Sequence, residues 1–231
     1  MKVTIEENLA ALRDRILAAE SKAGLVPGSV RLVGVTKTRT LEEIETAIRA
    51  GLTDIGENRL QDAQIKLPHL GLPVTKHFIG HLQRNKVPGV LDLFDLVQSV
   101  DSERLARAID ERARAVGRKA KILVEVNASG EVSKFGVEPQ GAEALLGVIA
   151  GCRNIELLGL MTIGLFSSDS AAVAASFQRL RGLYEKFKTF GADKCRMEIL
   201  SMGMSADFEI AIAEGANMVR VGTAIFGPRN Y

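Results

Sequence analysis

Val30-Arg31-Leu32-Val33-Gly34-Val35-Thr36 is followed by Thr40-Leu41-Glu42-Glu43. The first stretch is short and rich in β-branched residues, the composition of a strand. In the second, Thr40 and Glu43 form a capping box that opens a helix, and Gly51 ends it. The same strand-then-helix reading recurs along the chain, with further strands predicted near 53–56, 74–80, 94–100, 120–127, 155–162, 196–201 and 217–222. Ile122-Leu123-Val124-Glu125-Val126 is nearly continuous apolar chain, the habit of strands buried on both faces in parallel sheets covered by helices. Eight strands alternating with helices favour a closed (β/α)8 barrel over an open doubly wound sheet.

Around that frame the helices have their own signals. Residues 3–23 place Ile5, Leu9, Leu12, Ile16 and Ala19 on one helical face, giving an extra helix before the first strand. Ser102 precedes an Ala-rich charged helix that stops near Gly117, and Ser205 is expected to cap Ala206–Glu214 ahead of Gly215. Phe177, Leu180, Leu183, Tyr184 and Phe187 form a stripe at helical spacing, which is core packing.

The chain has 231 residues, 46% of them hydrophobic, enough for one barrel domain spanning 1–231 with no linker to divide it. A formal charge of +2, no Trp and no basic block interleaved with aromatics argue against nucleic acid. Cys152 and Cys195 lie far apart, which fits a reducing compartment rather than a disulfide or zinc framework. Acidic residues follow the N-terminus where a signal peptide needs basic ones, and no apolar run reaches membrane-spanning length. The expectation is a soluble, cytoplasmic protein with no membrane partner. No exposed apolar helix face is evident, so a monomer is expected.

In a (β/α)8 barrel, function sits at the C-terminal ends of the strands, with phosphates held after strands seven and eight. Three segments meet that condition. Lys37 follows strand one, where partial desolvation favours the neutral amine that captures a carbonyl as a Schiff base. Leu200-Ser201-Met202-Gly203-Met204-Ser205 joins strand seven to its helix and supplies a hydroxyl, a glycine and helix-terminal amides for an anion. Val219-Arg220-Val221-Gly222-Thr223 adds a guanidinium, a close-approach glycine and a second hydroxyl. Strand eight neighbours strand one when a barrel closes, so a phosphorylated aldehyde could reach all three. Each feature also has a plainer reading: a solvated lysine, capping serines, a structural ion pair.

At these residues the sequence resembles the pyridoxal-phosphate homeostasis protein family (the proline-synthase co-transcribed group), and more distantly the barrel domain of alanine racemase. The similarity spans nearly the whole chain. It includes Gly56-Glu57-Asn58, His77-Phe78-Ile79-Gly80-His81, Val124-Glu125-Val126-Asn127, Ser133-Lys134-Phe135-Gly136 and Gly159-Leu160-Met161-Thr162. The resemblance implies pyridoxal 5′-phosphate bound as a Schiff base on Lys37. It further implies Ser201, Gly222 and Thr223 on the phosphate, Arg220 at the pyridine nitrogen, Asn58 lining the pocket and Lys134 as a second lysine in cofactor transfer. Apo pyridoxal-phosphate enzymes are the implied recipients.

A guanidinium beside the pyridine nitrogen disfavours its protonation and makes the ring a weak electron sink. Alanine racemase shares such an arginine but adds a tyrosine from a second domain. Here the chain is expected to end soon after strand eight, with Tyr184 on a helix and Tyr231 at the terminus. That favours a carrier over an enzyme. The competing reading is a small pyridoxal-phosphate racemase or lyase using Lys37 and His81. A Schiff-base aldolase acting on a sugar phosphate would use the same lysine and anion cradle without a coenzyme. Glu57 could serve as a base, but an ion-paired loop carboxylate is the favoured reading. His77 and His81 share no helical face and have no evident third ligand for a metal.

Overall fold

The computed structural model describes residues 3–131, 133–188 and 195–228. Eight parallel strands close into a barrel: β1 (Arg31–Val35), β2 (Asp54–Glu57), β3 (Thr75–Phe78), β4 (Leu96–Val100), β5 (Ala120–Glu125), β6 (Ile155–Met161), β7 (Cys195–Ser201) and β8 (Met218–Val221). Closure pairs β8 with β1, with Arg31 opposite Met218 and Gly34 opposite Val221. Around the strands run α2 (Leu41–Arg49), α3 (Leu60–Lys66), α4 (Val87–Leu93), α5 (Glu103–Ala115), α6 (Ala142–Gly151), α7 (Ser170–Phe187), α8 (Phe208–Ala213) and the short α9 (Thr223–Phe226).

The extra helix α1 (Ile5–Lys22) precedes β1, as the sequence predicts. It packs against α2, α8 and α9, and Asn8 donates to the Ile225 carbonyl at 3.0 Å. Thr4 with Glu7 and Thr40 with Glu43 each form a reciprocal capping box, so both helix starts satisfy amides that would otherwise be orphaned.

Two hydrophobic bodies arise from the alternation of strand side chains. Val33, Leu96, Leu123, Leu158, Met161 and Met218 plug the barrel interior. A larger layer lies between strands and helices, and the Phe177–Phe187 stripe of α7 belongs to it. Tyr184 packs there and donates its hydroxyl to the Met197 carbonyl at 2.6 Å. Tyr231 lies outside the described residues. No described helix is long and apolar enough to cross a membrane.

One capping expectation fails. Helix α8 starts at Phe208, and Ser205 does not cap it. Asp207 intervenes: its carboxylate accepts the Met204 amide at 2.5 Å, while the amides of Asp207 and Phe208 return to the Met204 carbonyl. The chain spends Met204–Asp207 on a tight turn, and the helix begins only after it.

Candidate functional site

Lys37 rides on a residue held from every side. Thr36 is fully buried; its amide donates to the Gly56 carbonyl at 3.0 Å and its hydroxyl to Glu57 Oε1 at 2.7 Å. The Thr36 carbonyl accepts from Lys66 Nζ at 3.0 Å and from the Arg39 amide at 3.1 Å. Glu57, at the end of β2, is ion-paired to Lys66 at 2.6 Å, so it is a structural carboxylate. Thr38 then adopts φ +64°, a left-handed conformation that a β-branched residue rarely takes and that clusters at functional sites.

The turn it makes aims Lys37 into a cavity of about 610 Å³ at the C-terminal ends of the strands. Lys134, Arg220, Gly222, Thr223 and the Met204–Asp207 turn line the same cavity, with Phe166 on its rim. Lys37, Arg39, Lys134 and Arg220 line it with Asp207. Arg39 and Lys134 have Glu43 and Glu131 beside them at 3.4 and 3.9 Å, yet among the described lining residues cationic groups outnumber carboxylates, which suits an anion. Among the described residues no hydrogen bond reaches the amides of Ser205, Ala206, Thr223 and Ala224, all at or beside that lining. Gly222 seats the end of β8 against β1: a Cβ there would stand 3.3 Å from both Cβ and the carbonyl oxygen of Val35.

Arg220 is 4% exposed. Its Nη1 donates to Ser201 Oγ at 2.6 Å and its Nη2 to the Thr162 carbonyl at 2.7 Å. Burial pulls its pKa down to about 10, with Glu125 and Asp207 opposing, so the guanidinium keeps its charge at neutral pH. Burial, then the neighbouring Asp101, pushes the Glu125 carboxyl up to about 7 against the pull of Arg220. Burial raises Asp207 as well.

Of the residues singled out from sequence, Lys37, Lys134, Arg220, Gly222 and Thr223 converge on the one cavity. Ser201 does not line it. Its hydroxyl is fully buried and bonded to Gln98 Oε1 at 2.7 Å and to Arg220. Asn58 sits beside the mouth, its carbonyl so close to Gly80 that any side chain there would collide with it. The buried Asn58 Oδ1 has no hydrogen-bond partner, and neither has Ser99 Oγ on β4. Glu57 Oε2, next to Asn58, is likewise buried without a partner, and neither Asn58 nor Ser99 lines the cavity itself. His81 is exposed, 3.5 Å from Asp101, and stacks on Phe135 with ring centroids 3.9 Å apart. Sequence reasoning missed Asp207, Gln98 and Phe166, whose roles come from neighbours distant in the chain.

A phosphorylated aromatic aldehyde fits this donor set: a lysine on the wall, a guanidinium on the floor, and free amides and the Thr223 hydroxyl at the β7–β8 corner. Comparison with known proteins agrees. The alanine racemase N-terminal domain family matches residues 8–230. A Pseudomonas aeruginosa relative named pyridoxal phosphate homeostasis protein is 41% identical over 229 residues, covering 99% of this chain and 97% of the relative. A solved structure of an unknown protein from Bifidobacterium adolescentis superposes with a TM-score of 0.90 at 43% identity, covering 96% of this chain and 94% of that one. PipY of Synechococcus elongatus, solved with pyridoxal phosphate bound, superposes at 0.85 with 33% identity, covering 97% and 100%.

Proposed function

The chain belongs to the pyridoxal phosphate homeostasis protein family, and on that premise we propose that it binds pyridoxal 5′-phosphate at the barrel mouth and serves intracellular homeostasis of that cofactor. It holds the cofactor as a Schiff base on Lys37 and releases it to apo pyridoxal-phosphate enzymes, acting as a cytoplasmic monomer. One observation carries the reading: Lys37, Lys134 and Arg220 meet in one cationic cavity beside the Thr223 hydroxyl and unbonded amides.

When bound, the cofactor supplies an aldehyde for amine capture and a phosphate for anchoring. Lys37 would present its amine to that aldehyde and hold the cofactor there. Thr223, with the amides of Ser205, Ala206 and Ala224, holds the phosphate, and Gly222 lets β8 come close enough to present them. Asn58 lends its unpartnered Oδ1 at the side of the mouth. Arg220 would offer its charged guanidinium at the cavity floor, where a cation disfavours protonation of a ring nitrogen and so favours storage over carbanion chemistry. The named function of the Pseudomonas relative and the ligand of PipY both support this reading.

Borohydride reduction of protein loaded with pyridoxal phosphate, then digestion and mass mapping, should place the pyridoxyl adduct on Lys37. Lys37→Ala should lose the bound chromophore and keep its unfolding midpoint. An adduct found chiefly on Lys134 or another lysine would overturn the assignment.

A further inference from the structure

Behind Arg220, four hydrogen bonds cross the barrel interior from β8 to β2. Arg220 Nη1 meets Ser201 Oγ at 2.6 Å, Ser201 Oγ meets Gln98 Oε1 at 2.7 Å, Gln98 Nε2 meets His77 Nδ1 at 2.8 Å, and His77 Nε2 meets Asp54 Oδ1 at 2.9 Å. Every member is buried, and His77, Gln98 and Ser201 are wholly so. Asp54 lies at the start of β2, with Thr53 donating to its other oxygen at 2.7 Å.

The direction of each bond is set by the two ends. A guanidinium can only donate, so Ser201 Oγ accepts and must send its own proton onward. That proton goes to Gln98 Oε1, which fixes the amide with its nitrogen toward His77. Nδ1 of His77 therefore accepts, and its Nε2–H donates to Asp54, an acceptor-only carboxylate. Thr53 donates to the other Asp54 oxygen and the Arg31 guanidinium lies 4.0 Å from Oδ1, and both favour the carboxylate form of Asp54. All four bonds run one way, the arrangement in which neighbours polarise one another favourably.

We propose that Ser201, Gln98, His77 and Asp54 are positioning residues for Arg220: their aligned chain fixes the angle of the guanidinium under the cavity and locks His77 as the neutral, Nε2-protonated tautomer. The cofactor reading supplies what Arg220 faces; how Arg220 is held is independent of it. Neutral groups do the holding, since Ser201 and the Thr162 carbonyl take the guanidinium directly. The cation is thus anchored without being paired, and its charge stays available to the cavity. A reversed amide would point Gln98 Nε2 at Ser201 and leave the hydroxyl proton without an acceptor, so the register is all or none.

Nitrogen-15 NMR of histidine-labelled apo protein tests the chain without any cofactor. At neutral pH the wild type should show His77 with Nε2 protonated and Nδ1 bare. Ser201→Ala frees Gln98 to turn, and should shift both His77 nitrogens although no bond joins residues 201 and 77; Ser201→Thr, which keeps the hydroxyl, should restore them. In loaded protein, Gln98→Leu should retain the Lys37 adduct while moving the absorption maximum and weakening retention of pyridoxal phosphate by about tenfold, the equivalent of one hydrogen bond to a charged group. A His77 imidazolium or Nδ1–H tautomer in the wild type overturns the proposal. So do His77 shifts indifferent to Ser201→Ala, or a Gln98→Leu variant that changes only its unfolding midpoint. Wild type that takes up no pyridoxal phosphate would sink the cofactor reading, and the NMR arm would still decide the chain.

Discussion

Glu125 ends β5 on the same face as Leu123, inside the barrel and 2% exposed, where it senses Asp101 and Arg220. Its ordinary value is 4.5 and the folded protein raises it to about 7, so the fold binds this proton more tightly than the unfolded chain does. The stability it confers is fully present below the unfolded value and is lost as pH rises through about 7. Glu125→Gln carries no such loss. The variant should match wild type near pH 4 and become more stable by about 3 kcal/mol near pH 8. Urea unfolding of the apo proteins across that range measures it, and parallel pH profiles would mean that Glu125 ionises freely in the fold. Nothing local in Val124-Glu125-Val126 announces such a carboxyl, because its shift comes from burial in the closed barrel and from Asp101, neither visible in its own segment. Lys37 and Arg220 were legible for the opposite reason: a charged residue closing an apolar strand reveals its position by itself. Ser201 was half legible. Its place at the end of β7 could be read, while its partner Gln98 could not.

Strand β6 is one of the predicted elements, yet its working feature is a break in the ladder. The register shifts between Ile122 and Leu123 on the β5 side and between Leu157 and Gly159 on the β7 side. Gly159 sits at φ +151°, and a Cβ there would collide with the carbonyl oxygen of Ile199. Bulges of this kind bend the strand and redirect the residues beyond them. Here the shift sets Met161 opposite Ser201, and the next carbonyl, that of Thr162, reaches Arg220 Nη2. Gly159→Ala should therefore cost about 3 kcal/mol or more from backbone strain and overpacking, read as a lower midpoint in denaturant. A loss under about 1 kcal/mol would mean that the strand absorbs the methyl by sliding. Sequence predicted strand 155–162 from its apolar run, but a bulge glycine and a weak strand residue look alike until the neighbouring strand is in place. The Ser205 cap failed similarly, since Asp207 competes for the same turn and either residue is a competent cap.

Barrel closure is what turns separate segments into one site, and it was legible because β8-to-β1 contact is a property of the topology rather than of any residue. Depth was less legible: topology places residues around the mouth without saying which lie on its wall and which beneath its floor. Lys134 shows the gain from knowing both. The chain after β5 closes on itself, with the Asn127 amide donating to the Val137 carbonyl at 3.0 Å and the Val137 amide to the Glu125 carbonyl at 2.8 Å. Asn127 Oδ1 takes Ser129 and the Gly130 amide inside that loop, and Gly136 at φ +115° turns it back. The loop carries Lys134 to the same cavity as Lys37, from an element with no strand in common with β1. Its ammonium stands 3.9 Å from Glu131, a loose pairing for a side chain near the mouth. On the proposed function, capture and release would use different lysines, with Lys37 holding the aldehyde and Lys134 receiving it transiently on the way out. Lys134→Ala should leave the Lys37 adduct intact and slow transfer to an apo-enzyme acceptor by about threefold or more, a barrier change of roughly 0.7 kcal/mol. A coupled assay tracking recovery of acceptor activity gives the rate directly. Transfer at the wild-type rate would return Lys134 to the role of an ordinary solvated lysine, and loss of the Lys37 adduct would make it part of binding instead.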